Sequence, residues 1–169
     1  MTKASEPAWL AAARAKLGTR EAPGPANSAT IMGWAKRLGT KILGMAYNAD
    51  SVPWCGVFVA ACIQEAGLTP APIAVRAKSW AAWGARLQFG RLAPGAVLVF
   101  QREGGGHVGF YVGEDKKHYM VLGGNQGNKV SIVAIEKERL VACRWPVGAK
   151  ITTTALATTL NGPVSKNEA

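Results

Sequence analysis

Thiols and imidazoles are scarce in this 169-residue chain, which has three cysteines and two histidines. An odd, widely spaced set of cysteines cannot form the dense disulfide framework of a small secreted domain, so the chain reads as a reduced protein. Acidic residues are also few, ten against twenty Lys and Arg, leaving a formal charge of +10. Hydrophobic residues make up 49% of the chain, yet no run approaches the ~20 residues of a membrane span. Met1 to Arg14 lacks the continuous apolar core of a signal peptide, so synthesis in the cytoplasm is the expectation, and a target outside it must be reached by a separate route of release. There is no zinc-finger, RNP-type or glycine-rich phosphate motif, and no internal repeat. Basic residues are scattered, with Lys36, Arg37 and Lys41 near one helix end, Arg76, Lys78 and Arg86 near another, and Lys116 and Lys117 on a hairpin tip. That pattern favours an anionic partner or surface of a general kind over nucleic acid. The length suits one domain with its own core, with a monomer as the default.

What is present divides into a helical first half and a stranded second half. Residues 7–17 and 28–38 have helical spacing and are separated by Gly18-Thr19-Arg20-Glu21-Ala22-Pro23-Gly24-Pro25, which no helix crosses; Asn27 or Ser28 caps the second. A third helix starts near Pro53, with Asp50 or Ser51 as its cap, and stops at Gly67, and a shorter one covers Ser79 to Trp83. After Pro94-Gly95 the pattern changes. Ala96–Phe100, Val108–Val112, Tyr119–Leu122, Lys129–Ile135 and Val141–Trp145 are short runs of β-branched and aromatic residues bounded by glycines or charges. Helices followed by about five strands imply an α+β domain over residues 1–148, with an antiparallel sheet against the third helix. Residues 149–169, rich in Thr and Ala, read as a flexible tail.

In the third helix Cys55, Phe58, Val59, Cys62 and Ala66 recur on one face. Cys55 falls in the first turn, where unpaired N–H groups and the positive end of the helix dipole lower a thiol pKa. Cys62 lies about 10 Å further along at 1.5 Å per residue, beyond disulfide reach. A small buried residue is the plainer reading of any of these cysteines, and Cys62 and Cys143 fit it. His107 follows Gly104-Gly105-Gly106 and opens the strand Val108-Gly109-Phe110-Tyr111-Val112, so a flexible turn delivers an imidazole to the sheet without crowding. An imidazole there can take a proton from a thiol and return it to a leaving amine. His118, after Lys116 and Lys117, reads as a surface turn residue. A base held in one tautomer needs a polar group on its other ring nitrogen, and Leu122-Gly123-Gly124-Asn125-Gln126-Gly127-Asn128 offers amides at the end of the next strand. Asn125 is the first candidate, although an ordinary hairpin loop contains the same residue types.

Taken in order, Pro53-Trp54-Cys55-Gly56-Val57-Phe58-Val59, Gly106-His107-Val108-Gly109-Phe110-Tyr111-Val112 and Leu122-Gly123-Gly124-Asn125-Gln126 resemble the CHAP and NlpC/P60 superfamily of peptidoglycan-cleaving cysteine peptidases and amidases, closest to the CHAP-like branch of phage endolysins. The resemblance runs from about Leu17 to Pro146 and takes in Ser79-Trp80-Ala81-Ala82-Trp83-Gly84 and Arg144-Trp145-Pro146. It implies a papain-like core, with Cys55 as nucleophile, His107 as base and Asn125 as the orienting residue. It also implies attack on an amide carbonyl of peptidoglycan, a thioester, and hydrolysis of that thioester. The Cys55 N–H is the natural oxyanion donor, with a second donor not identified. Trp54, Tyr47 and Gln126 are the candidates for touching substrate, while Trp80 and Trp83 suit packing better.

Two departures from the family pattern stand out. Many CHAP domains carry a glutamate two residues before the asparagine, where this chain has Gly123, and the calcium-binding acidic cluster upstream of the cysteine in some phage lysins is reduced to Asp50. No metal or other cofactor is therefore expected. The enzyme would reach the cell wall after release, through a holin-type lesion or another export route, and its charge would hold it against an anionic envelope. Three other readings stand beside this one. They are a noncatalytic envelope-binding module, a secreted antibacterial amidase toxin with an immunity partner, and a zinc site of His107, His118 and Cys143 whose spacing matches no familiar ligand pattern. Whether the bond cut is that of an N-acetylmuramoyl-L-alanine amidase or of an endopeptidase is left open.

Overall fold

The structure is a computed structural model and describes residues 6–88 and 91–151. Three α-helices come first: α1 (Ala8–Ala15), α2 (Ala29–Leu43) and α3 (Cys55–Glu65). A 3-10 turn at Ala77–Ala82 leads to β1 (Ala85–Arg86), β2 (Val97–Arg102), β3 (Gly105–Glu114), β4 (His118–Gly123), β5 (Ser131–Glu136) and β6 (Leu140–Trp145). The strands form one antiparallel sheet in the order β1-β6-β2-β3-β4-β5. The fold is α+β as the sequence pattern implies, with one strand more than expected. That strand, β1, pairs only Ala85 with Trp145 and Arg86 with Arg144, too short to show an alternation of faces in the sequence. Most of the tail expected to be flexible, residues 152–169, lies outside the described residues.

The helix starts differ in instructive ways. Ser28 caps α2, its Oγ accepting from the N–H of Ile31 at 3.3 Å. The α3 helix has Trp54 at its N-cap and no side-chain cap, so Asp50 and Ser51, expected to cap it, do not. They lie about a turn too early to reach its first N–H groups. Asp50 instead folds back, its Oδ2 accepting from the N–H groups of Ala22 at 2.9 Å and Ser28 at 2.6 Å, while its own N–H donates to Asn27 Oδ1 at 3.1 Å. One buried carboxylate thus ties the turn before α2 to the segment before α3.

The apolar stripe expected on one face of α3 extends around the whole helix, since every residue from Cys55 to Ile63 is buried. A helix apolar on all sides belongs at the centre of a domain, and α3 packs against α1, α2, β3 and β4. Phe58 bridges the layers, with ring centroids 6.1 Å from Trp34 on α2 and 6.0 Å from Phe110 on β3. Gly56 sets the depth of the helix start. A Cβ there would fall 2.2 Å from the Ala74 carbonyl oxygen, so only glycine lets this backbone close on the first turn. Among the described residues no helix is long and apolar enough to cross a membrane.

Candidate active site

Cys55 is the first residue of α3 and is 6% exposed. His107 lies on β3, opposite Phe100 of β2, and is fully buried. The β2–β3 hairpin closes at the pair Arg102 and Gly105, with Gly104 at φ 77° in its tip, a left-handed conformation that glycine adopts without strain. That tight hairpin brings His107 to α3. The Cys55 thiol is hydrogen-bonded to His107 and receives the backbone N–H of Val108. Burial opposes its ionisation, but the His107 hydrogen bond and charge, the Val108 N–H and the charge of Arg102 outweigh that cost and hold Cys55 below an ordinary thiol pKa. The other two thiols behave oppositely. Burial raises Cys62 well above the usual range and pushes Cys143 up to about 12. All three are free.

The far ring nitrogen of His107, Nε2, lies 2.9 Å from Gln126 Oε1. Gln126 is itself held from both ends, for its amide nitrogen donates to the carbonyls of Val121 at 3.2 Å and Ser131 at 2.7 Å. Those two bonds fix which way the amide faces, so its oxygen points at the ring and accepts from Nε2–H. Nδ1 is then the ring nitrogen able to take a proton from the thiol. Cys55, His107 and Gln126 form a buried series in which the acceptor for the base is preset by the β4–β5 connection.

Residues 47–125 match the family model of the CHAP domain. Over that stretch the chain is similar to the CHAP domain. No curated protein matches the chain. CHAP domains are in general cysteine- and histidine-dependent amidases or peptidases, and peptidoglycan is the substrate the family implies. The match takes in Cys55 and His107 and ends one residue before Gln126. The helices and six-stranded sheet are those of a papain-like CHAP core.

Within this site the residues expected beside Cys55 and His107 are redistributed. Asn125, expected to orient the ring, does not bond it; Gln126, expected to meet substrate, does. Gly123 explains the exchange, because a Cβ there would fall 2.4 Å from Gln126 Oε1 and 3.3 Å from His107 Nε2. The missing side chain leaves the space that the glutamine amide fills. Asn125 adopts φ 59° and is 3% exposed, and its Oδ1 accepts no hydrogen bond among the described residues. The exchange was invisible in the sequence because it depends on how the loop folds back between β4 and β5.

Trp54 is not a groove residue. It is fully buried, its indole N–H donates to Glu21 Oε2 at 3.2 Å, and its ring centroid lies 6.2 Å from that of Trp34. A Cβ on Gly124 would come within 2.8 Å of its ring, so the β4–β5 loop seals it in. Tyr47 is also buried, and its hydroxyl donates to the Val52 carbonyl at 2.8 Å. Burial, together with the charges of Asp50, Glu21 and Cys55, keeps this phenol protonated. It braces the segment that delivers Cys55. Trp80 is buried and bonds the Ala74 carbonyl, and Trp83 packs edge-on against it at 5.1 Å. His118 opens β4 and bonds Asp115 at 3.1 Å. Among the described residues no group of three or more His, Cys, Asp or Glu is placed to hold a metal, so His107, His118 and Cys143 are not brought together as a zinc set.

Proposed function

We propose that the chain is a peptidoglycan hydrolase of the endolysin type, cleaving an amide bond of the bacterial cell wall by thiol chemistry. The observation that carries this reading is the buried series Cys55, His107 and Gln126. Cys55 gives its proton to His107 Nδ1, and the thiolate attacks the amide carbonyl carbon. Gln126 keeps the second proton on Nε2 and fixes that edge of the ring. As the tetrahedral intermediate collapses, the C–N bond breaks and Nδ1–H passes its proton to the departing amine. A water then loses a proton to Nδ1 and attacks the thioester, releasing a carboxylic acid and restoring the thiol. The oxyanion falls by the first turn of α3, whose N–H groups have no carbonyl of that helix to bond. The enzyme acts as a monomer on the wall after release from the cell that makes it, and its +10 charge draws it to anionic envelope polymers.

Digestion of purified peptidoglycan by the native protein and by Cys55→Ala, followed by mass spectrometry, tests this. New fragments from the native protein alone are expected, and their masses distinguish a muramoyl–alanine amidase from an endopeptidase. If wall preparations of several chemotypes yield no new fragments, the thiol is inert and the noncatalytic binding module takes its place.

A further inference from the structure

The loop that presents Gln126 to His107 is held in part from outside. Asn125, Gly127 and Asn128 have φ of 59°, 68° and 59°, left-handed values that asparagine and glycine tolerate but that no sheet ladder imposes. Within the loop the Gln126 N–H donates to the Lys129 carbonyl at 3.0 Å, and Ser131 Oγ donates to the Gln126 carbonyl at 3.0 Å. Further support comes from the turn between α1 and α2. There Gly18 N–H donates to the Val130 carbonyl at 3.0 Å, Val130 N–H to the Thr19 carbonyl at 2.8 Å and Glu21 N–H to the Asn128 carbonyl at 2.9 Å. Arg20 pairs antiparallel with Lys129. Residues 18–21 thus run as a short strap beside the loop that carries Gln126.

Glu21 also reaches the other half of the site. Its Oε2 accepts the indole N–H of Trp54 at 3.2 Å, and Trp54, fully buried, is the N-cap residue of α3 and the neighbour of Cys55. With no side-chain cap on α3, the Trp54 bond is one of the contacts that fixes where the helix starts. The same indole meets the loop at Gly124, where a Cβ would fall 2.8 Å from the ring. These contacts close a circuit. It runs from Trp54 to Gly124, along the chain through Gln126 to Asn128, across a backbone bond to Glu21, and through the Glu21 carboxylate back to Trp54. Gln126 lies within that circuit, and Glu21 joins its two halves, by main chain to the loop and by side chain to the segment of the nucleophile.

We propose that Glu21 is a positioning residue for the thiol reaction, holding the segment that carries Cys55 and the loop that carries Gln126 in one register, so that His107 stays aligned between them. Glu21 acts through Trp54 and Asn128. Glu21 and Gln126 both lie outside residues 47–125, the stretch similar to the CHAP domain, so this support is a feature of the chain beyond that likeness. The role rests on the hydrolase reading above and adds to it a residue that works at one remove from the reacting atoms.

The experiment compares Glu21→Ala and Glu21→Gln with the native protein by two readouts, each taken well below the melting transition of the variant. One is kcat and KM on soluble peptidoglycan fragments, and the other is the pH midpoint at which iodoacetamide labels Cys55. Glu21→Ala strips the indole of its acceptor and should lower kcat about 10- to 100-fold, the scale of a small misalignment of reacting groups, with KM little changed. It should also move the labelling midpoint to higher pH, because a misaligned His107 no longer favours the thiolate. Loss of a negative charge by itself does the opposite and favours the thiolate, so the direction separates position from charge. Glu21→Gln keeps an acceptor for the indole without the charge and should recover most of the kcat. If Glu21→Ala does not fold, Trp54→Phe, which lacks the indole N–H, should show the same lowered kcat and raised midpoint. A folded variant with a lower Tm but native kcat and midpoint, a midpoint that falls in both Glu21 variants, or a Gln variant no better than Ala overturns the positioning role. Failure of the native protein to cleave any fragment overturns the hydrolase reading instead, and the labelling midpoints still decide whether Glu21 aligns the thiol and its base.

Discussion

The Gln126 amide oxygen sits 2.9 Å from Nε2 of His107, in space that a side chain on Gly123 would otherwise claim. The base of this site is therefore oriented by a neutral amide and not by a carboxylate. An amide fixes the tautomer as well as an acid does, but it adds no negative charge to favour the imidazolium. Stabilisation of the charged pair then falls to the surroundings of the sulfur: the Val108 N–H, the Arg102 charge and the start of α3.

Replacing Gln126 separates orientation from charge. Gln126→Leu should lower kcat on the order of 10²-fold, the lower end of what positioned acid–base catalysis supplies. Gln126→Glu should keep an acceptor on the ring and move the alkaline limb of the kcat/KM profile to higher pH, because a carboxylate favours the imidazolium. It also leaves the Val121 and Ser131 carbonyls without their donor, at a cost of about 1–3 kcal/mol in stability. Rate profiles and urea titrations of the two variants check this, and a Leu variant within twofold of native kcat would remove Gln126 from the site.

Gly123→Ala makes the same point from the other side. Its Cβ would stand 2.4 Å from Gln126 Oε1, so the amide must leave the ring. The single variant should lose about as much activity as Gln126→Leu, and the double variant should lose no more than either. Such non-additivity is the mark of two changes acting on one contact. Additive losses would mean that Gly123 is needed for something other than room.

Cys55 and His107 could be read in the sequence because their positions rest on local punctuation, Pro53 before a helix start and the glycine run before a strand. Strands β2 to β6 were legible for the same reason, each bounded by glycines or charges. The burial of Trp54 was not, since it depends on Gly124, some seventy residues further on, coming up bare against the indole. Nor was the full burial of α3, whose polar side chains begin only at Gln64; small residues such as Gly56, Ala60 and Ala61 suit close packing on every side, but which elements supply it is a matter of tertiary contact. Asp50 was misread as a helix cap because an acid before a helix usually is one, and its actual partners, Ala22 and Ser28, lie in an earlier turn.

The depressed pKa of Cys55 predicts selective alkylation. Its thiolate persists at pH values where an ordinary thiol is protonated, so reaction with iodoacetamide should extend to lower pH than for a free cysteine. Cys62 and Cys143, both buried and raised, should stay unmodified in the folded protein. His107→Gln removes the hydrogen bond and charge that most lower Cys55 and leaves its burial in place, so the labelling midpoint should move to higher pH. Peptide mapping of labelled native and variant protein across a pH series reads this directly, and an unmoved midpoint would show that His107 does not activate the thiol.

Asp50 is the one carboxylate in the run leading to Cys55, and the question is whether it serves a cation or the backbone. Its Oδ2 accepts two N–H groups, those of Ala22 and Ser28, and its N–H is taken by Asn27. A carboxylate so engaged holds the turn that carries Glu21, and Glu21 in turn holds the Trp54 indole next to Cys55. Asp50→Ala should therefore act through stability, with a loss of about 1.5–3 kcal/mol and a fall in Tm of roughly 5 °C. Activity of the native enzyme on peptidoglycan should be unchanged by a large excess of EDTA. Loss of activity with chelator and its return with calcium would assign Asp50 to a metal and require its two backbone bonds to open. Unchanged activity together with a thermally weakened Asp50→Ala variant would confirm that the carboxylate works as a brace for the nucleophile's segment.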